Sequence, residues 1–164
     1  MQSLSTAGLL ALASLFPVAP LPTAKQEDAK KALEALQGEW RISRSGAKGE
    51  IRDLLEKHSK VVVKGTKVAV QALADVNKEV KLAQFTLKLA PGKKPKEIDL
   101  KIEYVVPVAG AESKAKGKTV KGTYSLEGDT LKLYTDDDGK ARPGKFPPKG
   151  DEGVITLKRL KKAR

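Results

Sequence analysis

Few side chains in this sequence belong to the types that carry out chemistry. There is no cysteine and a single histidine, His58, which excludes disulfide scaffolds, thiol nucleophiles and zinc sites of the Cys/His kind. His58 stands between Lys57 and Ser59 at an expected helix-to-strand joint, with no second histidine to act beside it, and reads as a bystander. Gly117-Lys118-Thr119 has the ending of a phosphate-binding loop, but the preceding glycine, Gly110, is too far upstream and a strand rather than a helix follows. Ser113-Lys114-Ala115-Lys116 fits the S-x-x-K pattern of a lysine-activated serine, yet it has neither the helix nor the companion motifs that such a nucleophile needs. Asp136-Asp137-Asp138-Gly139 offers carboxylates for calcium without the alternating acids and distal glutamate of a binding loop, and reads as a polar turn. No pair of titratable groups is brought together by these spacings. Catalysis therefore ranks behind binding, with no catalytic residue, metal or cofactor expected.

The constellation that does stand out is apolar. Trp40, Ile42, Phe85, Leu87, Leu89, Ile98, Leu100, Ile102, Tyr104, Tyr124, Leu126, Leu133, Ile155 and Leu157 all fall on one side of alternating segments. One reading is a packed core. The other is a shallow apolar cup for a lipid-like or aromatic small molecule, lined by Phe85, Tyr104 and Tyr124 and covered by Leu54 and Leu55 together with Ile51. In that cup the two tyrosines supply the polar handles. A bound acid would also need a buried cation, for which Arg41 or Arg44 is the candidate.

These residues have to be positioned by strands. Period-two alternation begins at Trp40 and Ile42, continues through Val61 and Val63, turns at Lys64-Gly65 and resumes at Val68 and Val70. It runs again through Ala83–Leu89, Ile98–Tyr104 and Val120–Leu126, where Glu127-Gly128 turns the chain into Thr130–Tyr134, and ends in Val154–Leu160. Two short amphipathic helices are expected, over Lys25–Leu36 and Glu50–Lys57. About eight strands in a meander, with no long helix to carry parallel crossovers, predict a mainly β fold: an antiparallel up-and-down barrel with one or two short helices. Such a barrel has an interior just wide enough for side chains or one small ligand. The strands around 66–89 are the part whose pairing the alternation leaves open.

The chain has 164 residues and a formal net charge of +12, from 32 basic and 20 acidic side chains. All of them lie after residue 24. The uncharged stretch before it contains the apolar run Ala7–Phe16, too short for a comfortable membrane span and followed by Pro17, Pro20 and Pro22. The expected organisation is a signal peptide over 1–24, a leading helix over 25–35 and a barrel domain over 36–164. The protein is then exported to a periplasmic or extracellular setting, with no integral membrane span after processing. Lysine dominates the charge, as on a solvated surface, and the alternative to a ligand-binding barrel is a basic surface domain that associates with acidic envelope polymers, an anionic membrane or a protein partner. Nucleic acid is not an expected partner, because three Phe, three Tyr and one Trp leave little for stacking platforms.

Gly38-Glu39-Trp40 on the first strand resembles the G-x-W signature of lipocalin-type barrels. Arg159 or Lys158, near the end of the last strand, is the basic residue that the resemblance places against the indole. Together with Leu36-Gln37 before it, Lys96-Glu97-Ile98-Asp99-Leu100, the stretch Gly122–Leu133 and Arg142-Pro143-Gly144-Lys145-Phe146, the motif is similar, in order, to a small exported lipocalin-like domain family expanded in planctomycete-type bacteria. The resemblance spans roughly Leu36 to Lys161. It implies a fold, an exported setting and structural roles for Gly38, Trp40 and Arg159; it implies no activity.

Overall fold

The computed structural model describes residues 23–46, 49–74, 78–106, 115–135, 141–146 and 153–161. The expected alternation folds as eight strands, each antiparallel to the next: β1 (Gly38–Arg44), β2 (Ser59–Lys64), β3 (Lys67–Ala74), β4 (Lys78–Ala90), β5 (Glu97–Val105), β6 (Thr119–Glu127), β7 (Thr130–Thr135) and β8 (Val154–Arg159). β8 pairs back onto β1, so the sheet closes into a barrel in strand order. Closure removes the two free edges that an open sheet would present to another chain. Two helices accompany the barrel, α1 (Ala24–Leu36) and α2 (Gly49–His58). The strands left open by the sequence resolve as a β3–β4 hairpin with Val68 opposite Phe85 and Ala72 opposite Val80. The expected leader lies outside the described residues except for its last two, Thr23 and Ala24, which cap and open α1, with the Thr23 carbonyl accepting from the Gln26 N–H at 2.8 Å.

One end of the barrel is sealed by a small set of bonds that explains the G-x-W residues. The carbonyls at the C-terminus of a helix lack partners within it. Here the Trp40 indole N–H donates to the Leu36 carbonyl at 3.0 Å, and the Arg159 guanidinium donates to the carbonyls of Ala35 and Gln37, each at 2.6 Å. The same guanidinium lies 4.1 Å from the centroid of the Trp40 ring, as the resemblance implied, and its Nε is 3.2 Å from Asp129 Oδ1. Gly38 has φ +117°, a conformation that residues with a side chain rarely adopt, so the backbone favours glycine there. Gln37 adds a link to the β2–β3 turn, donating to the carbonyls of Leu33 and Gly65 and accepting from the Gly65 N–H at 2.7 Å. Trp40 is fully buried and Leu36 nearly so; with Tyr124 they form the packed floor of the barrel.

Outside the barrel, Arg142 has a clear structural task. It donates to the Gly122 carbonyl at 2.6 Å and to the Ile98 carbonyl at 3.3 Å, and it pairs with Asp99 and Glu97. The strap carrying Arg142 is thereby pinned across β5 and β6.

Candidate functional site

At the end away from Trp40 the barrel is hollow. A cavity of about 460 Å³ is bounded below by Leu36, Val63, Leu87, Ile98 and Leu131, on the sides by Ile42, Val61, Val68, Val70, Phe85, Leu100, Leu133, Ile155 and Leu157, and at the rim by Leu82, Ala83, Val105 and Val106. The volume falls in the range of small-molecule pockets. α2 crosses the mouth, because the chain between β1 and β2 is spent on this helix rather than on a tight turn. Ile51, Leu54 and Leu55 reach the cavity from it. Ile51 and Leu54 remain 55% and 40% exposed, so the lid presents apolar surface to solvent and to the cavity together.

Ser45 is the only polar residue among the described lining residues, and its hydroxyl is already committed: Oγ donates to Glu56 Oε1 at 3.0 Å and the Ser45 N–H donates to the same oxygen at 2.8 Å. A water inside needs two to four polar partners, and these walls provide almost none. The cavity is thus suited to an apolar guest. It contains no acid, base or nucleophile in position to react with one among the described residues. Nor does any group of three or more His, Asp or Glu side chains converge as a metal site among them, and no described helix is long and apolar enough to cross a membrane.

The structure divides the expected cup. Phe85, Leu54 and Leu55 line the cavity, as read from the sequence. Tyr104 does not: it is 44% exposed, outside the barrel. The cause is a β-bulge at Glu103, where the register passes from Phe85 opposite Ile102 to Gln84 opposite Tyr104. The strict alternation Ile98, Leu100, Ile102 therefore fails at the next step, and Val105 takes the inward place. Tyr124 is buried at 3% exposure but sits in the floor and does not line the cavity. Its hydroxyl has no hydrogen-bond partner among the described residues, and burial pushes the phenol pKa up. Neither tyrosine is a polar handle for a guest. Arg41 and Arg44 are exposed, and neither lines the cavity.

Leu82, Val105 and Val106 are lining residues that alternation misses. A second irregularity, between Val70 and Gln71, sets Val70 opposite Ala83 and Gln71 opposite Lys81, leaving Leu82 as the extra residue. The Val106 N–H then donates to the Leu82 carbonyl at 2.8 Å and extends the rim. His58 is the exposed last residue of α2. Gly117 is in a turn with φ +84° that leads into β6, and no helix follows it. Gly110, Ser113 and Asp136–Gly139 lie outside the described residues. Compared with models of known protein families and with curated proteins, the chain matches none.

Proposed function

We propose that the protein is an exported, non-catalytic carrier that holds one small, elongated apolar molecule in the open end of its barrel. The single observation that carries this reading is the apolar cavity of about 460 Å³ beneath a lid that is itself apolar on both sides. A well-packed domain does not leave a void of this size without cost, because the lining forfeits dispersion contacts. A hydrocarbon guest restores those contacts without requiring any polar group to be buried unpaired. Export rests on the charge-free apolar leader, and the lipocalin-type resemblance of the Gly38–Trp40 strand agrees with a carrier.

The test is uptake of a fluorescent fatty acid by the full chain at about 0.01 M and about 0.15 M salt, across which the Debye length falls from about 30 Å to about 8 Å. Saturable emission enhancement with nearly the same affinity at both salts is expected. Binding that collapses as salt is raised would assign the uptake to the surface lysines, and no saturable uptake by a series of chain lengths would end the carrier reading.

A further inference from the structure

The outer wall of the barrel is not uniformly charged. Acids on β4, β5 and the start of β1 stand beside cations of β2 and β3: Lys67 pairs with Glu103, and Lys60 lies 2.7 Å from Glu79 and 3.1 Å from Glu39. Lys88 and Lys121 both stand opposite Asp99 in the register. β7 and β8 contain no acidic residue at all. Their outward positions are Thr130, Lys132 and Tyr134 on β7 and Val154, Thr156 and Lys158 on β8, with Val154 buried, and the next strand adds Arg41, directly opposite Lys158; the acids on this side, Glu127 opposite Thr130 and Glu39 at the start of β1, stand at its margin. Arg41, Lys132 and Lys158 have no ion-pair partner among the described residues. Like charges directly opposite on neighbouring strands are destabilising. An anion laid across them would relieve that repulsion.

We propose that the outer face of β7, β8 and β1 is a docking surface for an acidic polysaccharide, read through Arg41, Lys132 and Lys158. Carboxylates along such a chain meet the three cations, and the hydroxyls of Thr130, Thr156 and Ser125 are placed among them to exchange hydrogen bonds with sugar hydroxyls. Ser125 is opposite Lys132 and Lys132 opposite Thr156, so hydroxyl and charge alternate along one row, while the next row runs from Glu127 through Thr130 to the adjacent cations Lys158 and Arg41. A bilayer fits this face less well, because its central outward positions hold no apolar side chain to insert. Nucleic acid fits less well too, since the face carries a single aromatic ring, Tyr134, at the edge of the cations rather than a row on which successive bases could stack. The surface is separate from the cavity, whose guest enters past α2, so the protein can hold both at once.

The experiment compares two triple variants of the full chain for affinity to alginate, with neutral dextran and phosphatidylglycerol vesicles as the other arms. One variant is Arg41→Gln, Lys132→Gln, Lys158→Gln; the other is Lys88→Gln, Lys101→Gln, Lys121→Gln. Each lowers the net charge by the same amount, so a diffuse field weakens both equally. The first is expected to lose roughly tenfold or more in affinity and the second less than about threefold, with no binding to dextran. Melting temperatures at or above that of the parent are expected for the first, because repulsion is removed. Should that triple fold poorly, single Lys158→Gln is expected to show a smaller loss in the same direction. Equal losses in the two triples, absence of alginate binding by the parent, or preference for the vesicles over alginate would each overturn the proposal.

Discussion

Glu103 is on the outside of the barrel, where the alternation of β5 puts it, and three donors converge on it. Lys67 Nζ and Thr86 Oγ1 donate to one carboxylate oxygen and Gln84 Nε2 to the other, at 2.9 Å. The Lys67 hydrogen bond first, and the Thr86 hydroxyl next, lower the carboxyl pKa from 4.5 to about 2. A carboxyl depressed by folding contributes stability that is present above the unfolded value and lost as pH falls toward the folded one. The loss should therefore fall between about 4.5 and about 2. Glu103→Gln keeps the size and one acceptor but cannot titrate. It should be less stable than the parent near neutrality and flatter across that window, as urea midpoints at several pH values would show. Parallel acid limbs for parent and variant would mean that the carboxylate is not coupled to folding. The effect reports on β3, β4 and β5 together, since Lys67, Gln84, Thr86 and Glu103 come from all three.

α2 is the element whose behaviour governs access. It buries little and is tied at its C-terminal half, where Glu56 accepts both the N–H and the hydroxyl of Ser45, and the Ser59 hydroxyl donates to the Leu55 carbonyl. Freeing Glu56 should let the helix lift more often. A partly exposed charge-assisted hydrogen bond contributes about 1 kcal/mol, or about fivefold in an opening equilibrium. Glu56→Ala should accordingly speed both uptake and release of a bound fatty acid by about fivefold in stopped-flow traces, with Glu56→Gln, which retains an acceptor, falling between. Unchanged release in Glu56→Ala would mean that the guest does not pass this helix.

The helix itself was legible from Ile51, Leu54 and Leu55 at helical spacing, as were the hairpins at Gly65 and Gly128 and the pairing of Trp40 with a late basic residue. What alternation could not reveal were the bulges. An extra residue in one strand costs the pattern a single step, and the flanking letters look the same, so Tyr104 reads as inward and Leu82 as outward until the register is seen. The depth of Tyr124 was hidden for a different reason. Period two assigns a side of the sheet and says nothing about height along the barrel, which depends on how the strands are staggered when β8 meets β1.

The whole molecule is asymmetric along the barrel axis: bonded and packed around Trp40, Leu36 and Arg159 at one end, hollow under a lightly held helix at the other. Stability and binding should separate along the same axis. Ala83, buried at 9% exposure on the cavity rim, is where a larger side chain would enter the void with little strain. Ala83→Leu adds three carbons to an apolar space, a gain of about 1 to 2 kcal/mol after side-chain entropy, or about 3 to 6 °C in a domain of this size. In the parent, a guest at a free concentration of about 100 times its Kd should contribute about 2.7 kcal/mol and raise the melting temperature by about 5 to 10 °C. The variant should start higher and respond less, since its own leucine occupies part of the guest's volume. Calorimetric melts of both proteins with and without a fatty acid decide the matter. A variant that melts no higher than the parent and keeps the full ligand shift would place the guest somewhere other than this cavity.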